Sequence, residues 1–237
     1  MRLAQILYSQ GFGSRRACAA LVVAGQARIG ARVVDDPDAE FDTDGLVLTI
    51  QGRDWPYREH ALLLLHKPAG YECSRAPRHH ASVLGLLPEP LRRRGVQPVG
   101  RLDQDTTGLL LLTDDGALNH RLSSPRHHVA KVYEVGLRHA ADDAAIAALL
   151  DGVVLHDDPA PVRALACERR GARALRLTIA EGRYHQVKRM IAAVGNRVET
   201  LHRSGFGPWT LPAELACGQW CWVSDDPAPS AAPAARD

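Results

Sequence analysis

The chain has 237 residues, 46% of them apolar and 24% charged, with a formal net charge of +2. That is globular composition, neither low-complexity nor disordered overall, and the length fits one large domain with a small companion. No apolar stretch approaches the roughly 18 residues of a membrane span, and Met1–Gln5 runs into a polar turn rather than a signal-peptide core, so a soluble, cytoplasmic protein is expected. The five Cys (18, 73, 167, 217 and 221) contain no Cys-x-x-Cys. Their irregular spacing favours free thiols in a reducing compartment over disulfides, and over zinc despite His79-His80 and His127-His128.

Leu3, Ile6 and Leu7 stand at i, i+3 and i+4 and predict a short amphipathic helix. Gly11-Phe12-Gly13 ends it. Ser14 is placed to cap a second helix that buries Ala17, Leu21 and Val22 and stops at Gly25. Arg15 and Arg16 fall in its first turn, where the helix dipole favours an anion and gives a cation no help. Residues 1–34 hold five Arg and no acid, and residues 35–44 hold six acids and no base. On charge alone, docking of phosphates and a solvated basic face are equally good readings of that stretch. Short strands at Ala27–Ile29, Arg32–Val34 and Leu46–Ile50 complete a unit over residues 1–51, too small for an enzyme core.

The stretch Gln51–Pro56 reads as a linker, bounded at residues 52–59, and residues 60–224 as the main domain. The apolar strand Ala61–Leu65 breaks at His66-Lys67-Pro68. Pro88–Pro98 reads as a basic loop around Arg92-Arg93-Arg94. A second apolar strand, Leu109–Leu112, ends in the turn Thr113–Gly116. Strands at Val132–Val135 and Ala174–Ile179 follow, with a helix near Asp143–Leu150 between them. A clear helix spans Tyr184–Val194, placing Val187, Met190, Ile191 and Val194 on one face. Asp225–Asp237 is Pro/Ala-rich and reads as a disordered tail. The irregular alternation of strand and helix predicts an α+β fold with a mixed sheet rather than a doubly wound one.

Three polar clusters are candidates for chemistry. Gly100-Arg101-Leu102-Asp103-Gln104-Asp105-Thr106-Thr107-Gly108 precedes an apolar strand; Asp103 beside a cation is a candidate nucleophile or base, and the competing reading is a turn closed by its own Asp and Thr side chains. Spacing of two along a strand would place Arg101 and Asp103 on one face. Asp103-x-Asp105-x-Thr107 also fits an aspartyl phosphatase signature, and with Asp114 the spacing of a calcium loop. Both lack the strand-before or helix-after context they need. Glu181–Met190 carries His185, Lys188 and Arg189 at a helix start, suited to a phosphate or a carboxylate. Lys131-Val132-Tyr133 puts Tyr133 on a strand, where it is a core residue or a surface on which a base stacks.

Taken together, the three clusters in this order resemble the signature motifs of the RsuA/RluB/RluE/RluF family of pseudouridine synthases, and residues 1–50 resemble that family's small alpha-L, ribosomal-protein-type RNA-binding module. The resemblance spans nearly everything from Met1 to Val223. It implies a mainly antiparallel catalytic sheet, no cofactor and no metal. Asp103 is then the catalytic carboxylate, Lys188 its basic partner with Arg101 nearby, and Tyr133 the residue that stacks on uracil. Arg15, Arg16, Arg28, Arg126, Arg183, His185 and Arg189 become candidate RNA contacts. Ser124-Pro125-Arg126-His127-His128 and Tyr184-His185-Gln186-Val187-Lys188-Arg189 point within the family to 16S ribosomal RNA, with uridine 516 the expected target in a partly assembled small subunit; nothing in the sequence demands more than a monomer. Ala4 departs from the module, which commonly has an acidic residue there. A large-subunit RNA target, or a non-catalytic rRNA-binding or assembly protein, are the alternatives.

Overall fold

The computed structural model describes residues 1–156 and 158–223, so the expected tail at 225–237 lies outside the described residues. The first helix is Leu3–Ser9, with Leu3, Ile6 and Leu7 fully buried. Ser14 caps the second, Arg15–Val23, its hydroxyl accepting from the amide of Ala17 at 3.2 Å. This helix buries Cys18 and Val22 rather than Ala17 and Leu21. Ala17 and Leu21 instead face a cleft toward Glu89 and Pro90, so the expected stripe was rotated.

Strands Ala27–Ile29, Arg32–Val34 and Val47–Ile50 form a small antiparallel sheet, to which residues 53–56 add a fourth strand instead of a free linker. Gln51 (φ 50°) and Gly52 (φ 78°) both adopt positive φ, which closes the two-residue hairpin that carries this strand. Trp55 on that strand is buried, its ring edge-on to Phe12 at 5.1 Å and to Trp222 at 5.5 Å.

The main sheet runs Ala166–Gly171, Ala174–Ile179, Lys131–Leu137, Val198–Phe206, Thr107–Thr113, Leu62–Lys67, Trp220–Trp222 from edge to edge. Its neighbours along this order are antiparallel except Thr107–Thr113 beside Val198–Phe206, which run parallel through His202↔Thr107 and Arg203↔Gly108. The two all-Leu stretches are central strands covered on both faces. Leu63, Leu65, Leu110 and Leu112 enter one core, while Leu62, Leu64, Leu109 and Leu111 enter a second with Leu118, Leu122 and Phe206.

Two further differences concern Pro88–Pro98 and the late helix. Pro88–Pro98 is not an open loop: Glu89–Arg93 forms a short helix with Glu89 in the first turn and Arg93 bonded to it at 2.6 Å. The turn at Thr113–Gly116 launches a helix, Gly116–Ser123, whose first amides are capped by Asp115. The late helix is Gln186–Ala193, shorter at both ends than its apolar spacing predicted. Among the described residues no helix is long and apolar enough to cross a membrane.

Candidate active site

Asp103 lies in the loop between Val99 and the central strand Thr107–Thr113. The loop is a turn, as its composition allows, with the amide of Thr106 donating to the carbonyl of Asp103 at 3.1 Å. The turn directs the Asp103 side chain into a cleft of about 130 Å³, lined also by Tyr133, His185, Lys188, Lys131 and Arg203. Lys188 Nζ stands 3.1 Å from Asp103 Oδ2 and 2.7 Å from Asp105 Oδ1, and His185 Nε2 stands 3.4 Å from Asp103 Oδ1. Burial works against the Lys188 ammonium, but its bonds to Asp105 and Asp103 prevail and hold it above the ordinary lysine range. Asp105 is correspondingly held low: desolvation opposes its charge, and the Lys188 ammonium outweighs that.

His185 precedes the helix Gln186–Ala193 in the left-handed region, φ 49° and ψ 31°. For a non-glycine residue that conformation costs on the order of 1–3 kcal/mol. It leaves the imidazole between Asp103 and the exposed ring of Tyr184, stacked at 3.8 Å. Lys188 follows one turn later on the polar side of the helix, while Val187, Met190 and Ile191 are buried.

Lys67 holds the loop from beneath. It is fully buried, and its ammonium donates to the carbonyls of Pro68 (2.9 Å), Gln104 (3.2 Å) and Thr106 (2.8 Å). Desolvation pushes its pKa down. Sequence reading saw only a break at His66-Lys67-Pro68; a lysine ending a buried apolar strand was the available signal. Lys131 and Arg203 were likewise given no role. Lys131 donates to the carbonyls of Val129 and Ala180, and burial, reinforced by the Arg203 charge, lowers it to about 8. Arg203 Nε donates to the carbonyl of Leu109 at 2.8 Å, and its guanidinium lies over Phe206 at 5.0 Å. Arg203 Nη2 and Thr106 Oγ1, both on the cleft-lining residues, are buried without a hydrogen-bond partner.

Of the remaining expected residues, Tyr133, Arg101 and Arg183 also line the cleft, whereas Arg126, Arg189 and the amino-terminal arginines do not. Tyr133 is 7% exposed and lines the cleft. Arg101 is exposed at the rim in a loop rather than a strand, so it does not share a strand face with Asp103, and the cation paired with Asp103 is Lys188. Arg183 is engaged by Asp158 (2.6 Å) and Glu181 (2.8 Å). Arg189 Nη1 donates to the carbonyl of Tyr184. Arg126 is exposed beside the cleft, next to Ser124 and Pro125 in its wall. Arg15, Arg16 and Arg28 are exposed on the amino-terminal unit, Arg15 lying over the Tyr8 ring at 5.3 Å.

Residues 61–193 match the RNA pseudouridylate synthase family. A ribosomal small subunit pseudouridine synthase A from Yersinia pestis is 42% identical over 189 residues, covering 80% of this chain and 77% of its own. The protein of that name from Escherichia coli (strain K12) is 47% identical over 157 residues, 66% of this chain and 68% of its own. An uncharacterized RNA pseudouridine synthase, YtzG of Bacillus subtilis, is 39% identical over 230 residues, 95% and 96% of the two chains. A crystal structure of a pseudouridylate synthase superposes with a TM-score of 0.66 at 31% identity, covering 94% of this chain and 96% of that one. The motifs around Asp103, Tyr133 and Lys188 thus sit on the fold and within the sequence group that the resemblance implied: the chain belongs to the RsuA family of RNA pseudouridine synthases.

Proposed function

We propose that this enzyme isomerises one uridine of 16S ribosomal RNA to pseudouridine, at the position equivalent to uridine 516, with Asp103 as the catalytic carboxylate. The observation that carries this reading is the Asp103 carboxylate facing a cleft with Lys188 at 3.1 Å and His185 at 3.4 Å. The name shared by the Yersinia and Escherichia relatives supports the small-subunit target.

In the reaction the bond from nitrogen 1 of uracil to the sugar breaks, the freed base turns, and carbon 5 bonds the same sugar carbon. Carbon 5 then loses its proton and nitrogen 1 gains one, so atoms and electrons balance without an oxidant or a cofactor. Asp103 begins it either by adding to carbon 6 or by taking a sugar proton; either route needs the carboxylate ionised. The Lys188 ammonium, 3.1 Å from that carboxylate, is placed to balance its charge during the reaction. Tyr133 offers a ring face for the base. The uridine must leave its stack to arrive, which costs a few kcal/mol. Arg15, Arg16, Arg28 and Arg126 are exposed cations able to offset that cost on phosphates, the first three from the alpha-L-type amino-terminal module.

The test is pseudouridine mapping of unmodified 16S RNA in partly assembled small-subunit particles. The expected result is one new pseudouridine with the wild-type protein and none with Asp103→Ala, which still binds the RNA. Turnover by Asp103→Ala would overturn the mechanism, and a new pseudouridine only in large-subunit RNA would overturn the target.

A further inference from the structure

Residues 71–82 leave the sheet as a loop shaped by one carboxylate. Glu72 Oε1 accepts the amides of His79 and His80, both at 2.9 Å, and Oε2 accepts the amide of Arg78 at 3.1 Å. The base of the loop is closed by parallel pairing of Tyr71 with Ala81 and Glu72 with Ser82, and Ser82 Oγ donates to the carbonyl of Ser74 at 2.5 Å. Residues 73–82 contain no acid, and Arg75, Arg78, His79 and His80 are all exposed. Neither guanidinium has a hydrogen-bond or ion-pair partner among the described residues. The only carboxylate in the loop is turned inward onto amides, leaving an outer surface of one sign.

The loop is also mounted on the segment that carries Asp103. On one side the amide of Gly70 donates to the carbonyl of Gln104 at 2.8 Å. On the other the amide of Leu102 donates to Cys73 Sγ at 3.4 Å. A cationic surface is therefore held in fixed relation to the catalytic carboxylate from both flanks.

We propose that this loop is a pre-shaped phosphate clamp: Arg75 and Arg78 bind the RNA backbone beside the uridine that enters the Asp103 cleft, and Glu72 is the positioning residue that holds them. The proposal rests on the reading of this protein as an RNA-modifying enzyme. Phosphate contacts position a nucleic acid without reading its sequence, which suits an element fixed to the reacting carboxylate. A loop already folded around Glu72 avoids the ordering cost that a free loop meets on binding.

The experiment is a salt titration of binding to an unmodified 16S RNA transcript, with turnover measured alongside in the assembling particle. Arg75→Ala/Arg78→Ala is expected to weaken binding about tenfold and to reduce the slope of log affinity against log salt by about two. In turnover, the loss falls on KM. Glu72→Gln separates charge from shape. It removes a negative charge from a cationic surface, so electrostatics alone would tighten binding; loss of the clamp's shape weakens it. Unchanged affinity and slope in the double variant, or tighter binding by Glu72→Gln with an unchanged melting curve, would overturn the clamp. Binding is read without chemistry, so a wild-type protein that binds but makes no pseudouridine would sink the synthase reading alone. Wild-type turnover beside unaltered binding by the double variant would sink the clamp alone.

Discussion

Lys188 is the residue on which the charge balance of the cleft turns, because one ammonium answers two carboxylates. Lys188→Ala removes the cation that both Asp103 and Asp105 contact and leaves the two carboxylates to repel each other. We expect kcat to fall at least about a hundredfold in single-turnover pseudouridine assays, a range typical of a lost electrostatic partner, with Lys188→Arg recovering part of it. His202 and Lys131 are among the groups that couple folding to pH. Burial, then the neighbouring His66, holds His202 below its usual pKa. Its ring is bonded through Nδ1 to Thr107 at 2.9 Å. The unfolded chain binds that proton more readily, so stability is lost as pH falls from about 6.5, the unfolded value, toward the folded one. Lys131 is also depressed, to about 8, so between there and its unfolded value near 10.4 stability rises with pH. Urea unfolding at pH 5, 6 and 7 measures the first: the midpoint should climb across the series, and His202→Gln should flatten it.

At the scale of elements, the parallel contact between Thr107–Thr113 and Val198–Phe206 depends on Gly108. At φ 105° it lies where a Cβ would come 2.2 Å from the carbonyl oxygen of Arg203 and 2.7 Å from its nitrogen. Both are backbone atoms and cannot swing aside, so Gly108→Ala should cost about 1–3 kcal/mol or more in denaturant unfolding. This crossing explains what was legible in the sequence and what was not. The periodicity of Leu3-Ile6-Leu7, the cap at Ser14 and the Leu-rich strands are local signals, and the structure carries them. The strand at residues 53–56 carries no local hairpin signal, because its turn uses Gln51-Gly52 rather than Asn-Gly. Arg101 was placed on a strand with Asp103 because a period-2 argument assumes extended chain, and Gly100 at φ 68° begins a loop instead. Lys67 and Arg203 escaped notice because their value lies in partners far along the chain: the carbonyls of Gln104 and Thr106, and that of Leu109.

Over the whole molecule, the amino-terminal unit is fastened to the catalytic domain by one polar knot in a shared apolar core. Arg94, its side chain 4% exposed, donates to Asp114 Oδ2 at 2.7 Å, to Gln10 Oε1 at 2.8 Å and to the carbonyls of Arg58 and Glu59. Gln10 is itself fully buried and also accepts from the Trp55 indole at 3.3 Å. Gly11 beside it cannot carry a side chain, since a Cβ would meet the carbonyl oxygen of Pro90 at 2.1 Å. Arg94→Ala strands a buried carboxylate, a change that costs about 3–5 kcal/mol. Calorimetry should show one unfolding transition for the wild type and two for the variant, the smaller unit melting first.

The edge-on rings of Trp55 and Trp222 join the fourth strand of the amino-terminal sheet to the last described strand of the main one. A ribosome releases this chain from its amino terminus, so Trp55 and the hydrogen-bonding edge of Leu62–Lys67 emerge well over a hundred residues before Trp220–Trp222 can cover them. Until then the nascent protein carries a bare aromatic face and an unpaired strand edge, the combination that draws chaperones or self-association. Residues 220–222 thus act as a closing latch in time, and a message truncated after codon 219 should yield aggregated protein, although both the Asp103 cleft and the arginine-rich module have already been translated.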